Sequence, residues 1–455
     1  MIRAAVLCIG ALLVSLQVAH AQKKIDPEGD PTIPDFVSDL PQPVQDAVAQ
    51  MAESRDPPDR FMRTIFGLPR VRLGSGTSWL PDATPMYSVI PHIGRWGLMV
   101  HGNLYAGYNY YSSKRGWRRF MGRNTLMGAV FRTFKASELL ARLALSLEPL
   151  TIGKRGYPQI LQTGQTADGK LIHDKMYALD FFRELGVTYT WKVTEKWAGL
   201  IYAAAAGEPA LGPVTFTQRV SASADPLAPL GFQAQENSHA SFGVLTVGGF
   251  TRKFKLEASW FNGEVPGKRR YGIYFRKPDS YAVRISYNPA PSWSMQVSYG
   301  FLERPVPTEP DRSDHRVSAS VGYTHWLGAD AGLASTISVA QRVTTRGYAS
   351  TALLAEAYWN IDGHHALFGR GELLQKDGIE LQLALPTERR YAVGSLAGGY
   401  VYYFGPLVTI VPGVGARVSI NPMDRELADD YGGKRVPVGL MVFAQLRTAA
   451  LPIGK

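Results

Sequence analysis

The stretches FKLEASWF (residues 254–261) and YAVRISYN (residues 281–288) alternate apolar and polar side chains with a period of two. In an extended strand, successive side chains point to opposite faces, so each stretch presents one apolar face and one polar face. A strand with one face toward lipid and the other toward water is typical of a transmembrane β-barrel. The two stretches therefore predict an all-β protein that crosses a membrane with strands.

The same alternation recurs along the chain and predicts an antiparallel up-and-down barrel of about sixteen strands over residues 96–455, with fourteen strands as the alternative. The predicted strands are Gly97–Tyr111, Asn124–Phe134, Leu139–Pro149, Arg183–Lys192, Lys196–Ala206, Ser241–Thr251, Lys253–Phe261, Tyr281–Asn288, Trp293–Leu302, Arg316–Trp326, Leu333–Arg342, Thr351–Asn360, Ala366–Leu374, Tyr391–Phe404, Leu407–Val418 and Val438–Arg447. Pro412 falls inside the fifteenth strand and predicts a bulge or a break there, because proline donates no ladder hydrogen bond.

The connections between these strands alternate between short and long. The short ones lie near residues 135–137, 193–195, 288–292, 328–330, 361–365 and 405–406, and the long ones near 149–182, 207–239, 262–279, 303–314, 375–389 and 419–435. Barrels of the bacterial outer membrane have short periplasmic turns and longer outer loops. The pattern therefore predicts a Gram-negative outer-membrane protein whose long loops lie outside and whose two termini are periplasmic.

The first residues have the pattern of an export signal. Met1–Arg3 is basic, Ala4–Val18 is mostly apolar, and small residues precede a cleavage point after Ala21. We therefore predict a signal peptide over residues 1–21. Cys8 is the only cysteine, so a chain cleaved there would hold no thiol, which excludes disulfides and a cysteine nucleophile.

The composition of the chain further limits the classes of protein and the partners that fit this sequence. After the signal, no apolar run reaches the ~18 residues that a membrane helix requires. The formal net charge of +11 suits contact with the phosphates of lipopolysaccharide, or conduction of anions. No basic helix or run of Lys and Arg is present, so we expect no nucleic-acid partner. The expected partners are outer-membrane lipid, lipopolysaccharide and the barrel-assembly machinery, and a homo-oligomer is left open.

Residues 22–95 differ from the barrel in composition and lack its alternation of apolar and polar residues. Ile25–Leu40 is rich in proline and aspartate and predicts extended or disordered chain. Pro43–Ser54 predicts one short helix with Pro43 near its first turn. We expect this segment to be periplasmic, in part disordered, and able to fold back into the barrel mouth.

The strand phase assigns one set of charged side chains to the lumen. This predicted charged set comprises Arg142, Lys255, Glu257, Arg284, Arg316, Glu356, Arg370 and Glu372. Basic residues are in modest excess, and charged rings inside a pore select ions. The set therefore predicts a weak preference for anions. The alternative is that these charges are paired and solvated by lumen water, without any effect on selectivity.

Catalytic and metal signals are weak. Asn237-Ser238-His239 joins a long loop to a strand, but neighbours in sequence rarely form a triad, which requires convergence from several strands. His173, Asp174 and Asp180 in a long outer loop have metal-ligand chemistry, yet polar loop residues are common. No nucleotide, flavin or zinc signature is present. We therefore expect no catalytic residues, no metal and no cofactor.

Several motifs resemble an uncharacterised family of bacterial outer-membrane β-barrel proteins. They are GTSW (76–79), SLEPL (146–150), GYPQILQTGQT (156–166), residues 171–182, GEPALGP (207–213), ADPLAPLG (224–231), FNGE (261–264) and FGR (368–370). The resemblance covers roughly residues 74–375 and implies an outer-membrane barrel without an assigned activity.

Some members of that family are encoded near heavy-metal efflux systems and carry extra histidines in two places. Here those places read Pro85-Met86-Tyr87 and residues 173–180, where His173, Asp174 and Asp180 retain ligand chemistry. This departure weakens a metal role. The sequence thus favours a passive, porin-like channel for small and anionic solutes that is not an enzyme. The alternatives are a barrel enzyme acting on envelope lipid and a metal-linked outer-membrane protein.

Overall fold

The fold is given by a computed structural model of the chain. It describes Gln42, Gln45 and residues 59–450, with gaps at 164, 168–169, 237–240, 265–269, 307–308, 310, 328–329, 346–348 and 385–388. The predicted signal peptide therefore lies outside the described residues. So does the helix predicted over Pro43–Ser54, apart from Gln45.

Sixteen antiparallel strands form one closed barrel, which confirms the predicted fold class and strand number. They are β1 Trp96–Tyr111, β2 Asn124–Thr133, β3 Ser137–Ser146, β4 Phe182–Lys192, β5 Ala198–Gly207, β6 Ser241–Phe250, β7 Phe254–Asn262, β8 Ser280–Tyr287, β9 Trp293–Glu303, β10 Ser313–Leu327, β11 Ala331–Thr344, β12 Ala349–Asn360, β13 His365–Asp377, β14 Arg390–Tyr403, β15 Ile410–Ile420 and β16 Val438–Thr448. Each strand pairs with the next, and β1 pairs with β16, so that Asn103 lies opposite Arg447. Closure leaves no strand edge unpaired, as a bilayer requires.

Two of the strand boundaries that differ from the predictions have clear local reasons. The strand predicted over Leu139–Pro149 ends at Ser146, because Glu148–Thr151 forms a helical turn with a proline in its first turn. The fifteenth strand begins at Ile410 rather than Leu407 and continues through Pro412. The carbonyl of Pro412 still accepts a hydrogen bond from the Phe404 N–H at 2.8 Å, so the proline does not end the strand.

The two faces of the wall have the predicted phase. Ile285 is 53% exposed on the outside of β8, whereas its neighbour Ser286 is 1% exposed on the inside. Leu256, Val297 and Ile337 are also exposed on the outer face of their strands. This apolar outer surface is what lipid contact requires, since the strands hydrogen-bond one another and leave only side chains for the lipid.

The connections are sorted by length, with one exception. Short turns at 134–136, 193–197 and 251–253 lie at the end where β1 starts and β16 ends. Longer connections lie at the other end, except that β11 and β12 are joined by only residues 345–348. Both ends of the described barrel therefore lie on the short-turn side.

The remaining elements are short. The α-helices are Asp59–Met62, Glu148–Thr151 and Phe232–Gln235; the 3-10 helices are Arg70–Arg72, Gly153–Arg155, Val220–Ala222 and Arg425–Leu427; and the short strands are His92–Ile93, Arg118–Met121, Tyr157–Pro158, Gln165–Ala167, Lys170–Ile172 and Lys175–Met176. Among the described residues, no helix has both the length and the apolar character needed to span a membrane.

Among the described residues, two segments inside the barrel supply most of the partners of the wall charges. One is residues 59–91, which we call the arm, and the other is residues 208–236, which we call the inward loop. Phe66 and Ile90 of the arm and Phe216 and Phe232 of the inward loop are buried. The expectation that residues 207–239 form an external loop is therefore wrong for the described part. Residues 208–236 carry only four charged side chains and many apolar ones, which makes burial favourable.

Candidate lumen site

The eight residues of the predicted charged set all lie inside the barrel and are buried. Buried charges are stable only when paired and hydrogen-bonded, so their partners determine what these side chains do. The partners come largely from the arm and from the inward loop.

The arm is held by basic side chains of β3 and β7. Arg142 donates hydrogen bonds to the carbonyls of Gly74, at 2.5 Å, and Gly76. Lys255 donates to the carbonyl of Thr77. These backbone acceptors belong to an irregular segment that has no sheet partners for them, so the wall side chains complete their hydrogen bonding.

Further contacts extend the attachment of the arm around the wall. Arg70 of the arm forms an ion pair with Glu138 of β3 at 3.0 Å. Arg284 of β8 donates to Thr77 Oγ1 at 3.1 Å, and Asn288 donates to the carbonyl of Leu80 at 2.9 Å. The arm is thus anchored to strands on several sides of the barrel.

The inward loop is held by the acidic side chains of β12 and β13. Glu356 pairs with Arg219 of the loop at 2.7 Å and accepts a hydrogen bond from Ser221 at 2.9 Å. Glu372 accepts a hydrogen bond from the Gly231 N–H at 3.1 Å. The inward loop connects β5 to β6, so these bonds hold it against a different part of the wall, formed by β12 and β13.

Arginines complete the attachment of the loop. Arg370 pairs with Asp225 at 3.1 Å and donates to the carbonyl of Leu227 at 2.8 Å. Arg316 of β10 donates to the carbonyl of Gln233 at 2.7 Å. Glu257 of the charged set accepts from Arg284 at 2.9 Å and has no such loop contact among the described bonds.

The arm and the inward loop also contact each other. The Thr215 N–H donates to Ser75 Oγ at 3.3 Å. Gly76 has a φ of +54°, and a Cβ there would lie 2.6 Å from the carbonyl oxygen of Glu208. A glycine is therefore required at this contact, both for the backbone conformation and for the close approach. The two segments form one packed body inside the barrel.

Glu208 lies at this contact, immediately after β5. Burial raises the pKa of its carboxyl group to about 8, against the opposing effects of Arg183 and of a hydrogen bond from Ser75. The Arg183 guanidinium is 3.9 Å away, too far for a tight ion pair. Burial therefore favours the neutral form of this carboxyl group.

Small polar side chains cover another part of the inner wall. We call this the hydroxyl wall; it comprises Ser286, Gln296, Ser298, Ser318, Ser320, Thr324, Thr336 and Ser338 on β8–β11. A cavity of about 40 Å³ lies between much of this wall and the segments Ser78–Thr84 and Gly212–Ser221. The side chains of the hydroxyl wall are buried, and the inward loop contacts two of them: the Gly212 N–H donates to Ser298 Oγ at 2.8 Å, and Ser221 Oγ lies 2.8 Å from Thr336 Oγ1.

The residues with ligand chemistry in the connection between β3 and β4 are engaged in structural contacts. Asp174 pairs with Arg115 at 2.8 Å, lies 2.8 Å from His173, and accepts a hydrogen bond from Tyr431 at 3.0 Å. Asp180 pairs with Arg270 at 3.2 Å instead. In the described part of the chain, no three His, Cys, Asp or Glu side chains group as metal ligands.

Sequence reasoning placed the wall charges but missed their partners. Ser238 and His239 lie outside the described residues, so the catalytic alternative has no geometry there. Arg219 and Asp225, which pair with the wall, lie in a segment that was assigned to the outside. The signal that could have revealed them is their isolation among apolar and small residues, in VTFTQRVSASADPLAPLG (214–231).

The barrel is similar to solved outer-membrane porins. The anion-selective porin from Comamonas acidovorans is 11% identical, covers 77% of this chain and 99% of its own, and has a TM-score of 0.50. Salmonella typhi OmpF in complex with daunomycin is 9% identical, over 78% of this chain and 100% of its own, with a TM-score of 0.47. The outer membrane channel DcaP of Acinetobacter baumannii is 10% identical, over 77% and 97%, with a TM-score of 0.42.

At 11% identity, the likeness to the Comamonas acidovorans porin shows a porin-like barrel fold and nothing beyond the fold. No protein-family model and no curated protein matches the chain. The resemblance to an uncharacterised barrel family therefore stays a prediction, as does the link to heavy-metal efflux.

Proposed function

We propose that this protein is an outer-membrane channel for small solutes whose lumen is closed by the arm and the inward loop. The observation that carries the proposal is the combination of a closed sixteen-strand barrel, an apolar outer wall and a polar, charged inner wall. A polar inner wall is typical of outer-membrane barrels, whose interior holds a water-filled channel or a plug.

The closed state follows from the anchoring described above. Each wall charge that binds the arm or the loop is turned away from free water, so the conducting state requires these contacts to release. Once released, the charged set would present five basic and three acidic side chains to the passage. We therefore propose a weak preference for anions in the open state.

The orientation and the partners are part of the same proposal. We place the short-turn end and both termini in the periplasm, because long loops are typical of the outer surface. Outer-membrane lipid, lipopolysaccharide and the barrel-assembly machinery are the proposed partners, with a homo-oligomer as an open alternative. The proposal includes no catalytic step, cofactor or metal.

Conductance of the purified chain in planar bilayers tests the proposal. The double variant Arg142→Met, Lys255→Met removes donors to the backbone of the arm, so it should open more often and conduct more than the wild type. Lys135→Met, Lys253→Met removes the same charge from exposed positions near the short turns and should resemble the wild type. The conductance of a chain without residues 59–91 provides a third measurement, because this chain lacks the arm. If the wild type, the double variant and the truncated chain all fail to conduct and to pass uncharged solutes, the channel proposal is wrong.

A further inference from the structure

The connection between β7 and β8 has a sequence that is both basic and aromatic. Residues 268–277 read KRRYGIYFRK, with five basic and three aromatic residues and no acidic one. The structure describes residues 270–277 of this stretch, which we call the rim segment. Basic side chains next to aromatic ones are typical of segments that lie at the surface of an anionic membrane. The position of the rim segment on the barrel decides whether it can do so.

The rim segment lies on the outer side of the barrel wall. Ala206 of β5 is opposite Leu185 of β4, and Phe242 of β6 is opposite Ala206. Residues opposite each other in a ladder share a face, and Leu185 is 41% exposed on the outer face. Ala206 and Phe242 are nevertheless buried, and Ile273 of the rim segment packs against them. The rim segment therefore covers the outer face of β4–β6 at the long-loop end.

Contacts with the connection between β3 and β4 hold the rim segment in this place. The Phe181 N–H donates a hydrogen bond to the carbonyl of Arg270 at 2.7 Å. The Arg270 side chain forms an ion pair with buried Asp180 at 3.2 Å, and its guanidinium lies 4.1 Å from the centre of the Tyr177 ring. Arg270 therefore serves as an anchor of the rim segment.

Other side chains of the rim segment are exposed. Tyr271 is 52% exposed and Phe275 is 71% exposed. Arg276 and Lys277 follow directly and are also exposed. Arg276 pairs with Glu264, which is itself partly exposed, and the described contacts include no ion pair of Lys277. Exposed aromatic surface of this kind marks a site of contact with a partner or a membrane, and here cations lie beside it.

A cavity of about 820 Å³ lies between the rim segment and the connection between β3 and β4. None of its described lining residues is acidic. The lining includes the apolar and aromatic residues Pro149, Ala178, Tyr271 and Tyr274 and the basic residues Lys154 and Arg270. Binding sites for small ligands are mostly apolar, with a few polar groups that fix the orientation of the ligand. The size and lining of this cavity suit a sugar headgroup that carries an anionic substituent.

From these observations we propose that the rim segment binds a phosphorylated glycolipid of the lipid A type. Arg276 and Lys277 attract its phosphates, and the cavity takes part of its sugar headgroup. The lipid-facing wall continues beside the segment at Leu185 and Leu245, which are exposed and can contact the acyl chains of the same lipid. The inference deepens the proposed function and rests on it, since the proposed orientation puts the long-loop end at the outer leaflet.

Native mass spectrometry of the purified full chain in detergent, titrated with lipid A, tests this inference. The comparison lipids are lipid A from which the phosphates have been removed and phosphatidylglycerol, an anionic lipid without a sugar ring. The test variants are Arg276→Gln, Lys277→Gln as a double substitution and Phe275→Ser alone. The matched controls are Lys135→Gln, Lys253→Gln and Phe134→Ser, which change the same kinds of side chain at exposed positions of the short-turn end.

The wild type and both controls should bind lipid A more tightly than either comparison lipid. The double variant should weaken binding of lipid A about tenfold, the effect expected of two basic side chains beside an anionic lipid. Phe275→Ser should weaken it several-fold. Absence of binding by the wild type overturns the inference, as does equal binding by the double variant or equal binding of a comparison lipid. The measurement requires no conductance, so failure of the channel proposal would be seen separately.

Discussion

The charged set and the hydroxyl wall face the same lumen, yet they differ in the partners that they bind. Arg370, Glu356 and Arg142 are bound to the inward loop or the arm by ion pairs and backbone hydrogen bonds. Gln296 and Ser298 instead hydrogen-bond Ser318 of the same wall, and Ser286 and Gln296 line a small cavity. An inward direction therefore does not make a residue pore-lining, because the interior is shared between wall, arm and loop.

The difference follows from the free energy of burial. An ionised side chain without a partner is too costly to bury, so each charge of the wall needs a carbonyl or a counter-charge nearby. A hydroxyl without a partner costs much less and can remain beside a cavity. The charges have accordingly become anchors for the internal segments, whereas side chains of the uncharged wall hydrogen-bond one another.

Thiol reactivity should separate the two regions most sharply. Single cysteines at Ala224, which lies in the inward loop beside Asp225, and at Ser320 on the hydroxyl wall would be treated with a small methanethiosulfonate reagent in detergent. Ala224→Cys should stay unreactive because Ala224 is fully buried, whereas Ser320→Cys should react because it lines the cavity. Reaction at Ala224 with protection at Ser320 would reverse the comparison.

Labelling of single cysteines also tests which end of the barrel faces the outside of the cell. Asp311 is exposed in the connection between β9 and β10, and Gly363 lies in the short turn between β12 and β13. On intact cells an impermeant reagent should label Asp311→Cys and leave Gly363→Cys unlabelled, because the long connections are placed outside. Ala224, in a long connection, is expected to be protected as well, because its loop turns inward. Labelling at Gly363 alone would invert the proposed orientation.

Arginine substitutions on the two faces of β8 should differ in their effect on stability. Ile285→Arg places a charge on the lipid face and should lower the free energy of unfolding by about 2–4 kcal/mol if the site lies at the membrane midplane. Ser286→Arg points into the cavity and should cost less, because polar groups and space are present there. Denaturant unfolding in lipid vesicles gives both values. Equal costs would mean that the cavity cannot admit a polar group, which contradicts the comparison.

The junction of arm and loop should respond to pH through Glu208. Its pKa in the folded protein, about 8, lies above the ordinary value of 4.5 for glutamate. A raised pKa contributes stability that is present below about pH 4.5 and is lost as the pH rises through about 8. The wild type should therefore lose thermal stability between pH 5 and pH 9 relative to Glu208→Gln, which keeps the neutral form. Parallel pH profiles of the melting temperature would show that ionisation of Glu208 does not loosen the junction.

The smallest expected effect is the change in ion selectivity when charges of the charged set are removed. Replacing Arg284 and Arg316 with serine should move the reversal potential in a salt gradient toward cations, and the shift should shrink at high salt. We expect a small shift, because both arginines are paired with carboxylates in the closed structure. The matched control is Lys135→Ser, Lys253→Ser at the exposed turns. A shift in the double arginine variant that is no larger than in this control would remove the charged set from selectivity altogether.

The strands could be predicted from sequence because their signal is local. In β7, Leu256 and Trp260 face lipid while Lys255 and Glu257 face inward, and two neighbouring residues are enough to reveal that phase. The end of β3 was misjudged by a few residues because Leu147 extends the apolar alternation into a helical turn. The inward direction of the charged set was correctly read from the same alternation, whereas its role in selectivity stays a prediction.

The sequence by itself determined the barrel, its sixteen strands and which side chains point inward, because the alternation of residues along a strand is fixed by backbone geometry. Only the tertiary structure decided what fills the lumen. The contacts that do so join residues far apart in the chain, such as Arg142 with Gly74 and Arg370 with Asp225, and no periodic pattern marks them. They form because an irregular segment inside a barrel must find partners for its backbone and its charges on the surrounding wall, and that wall exists only after the barrel has closed.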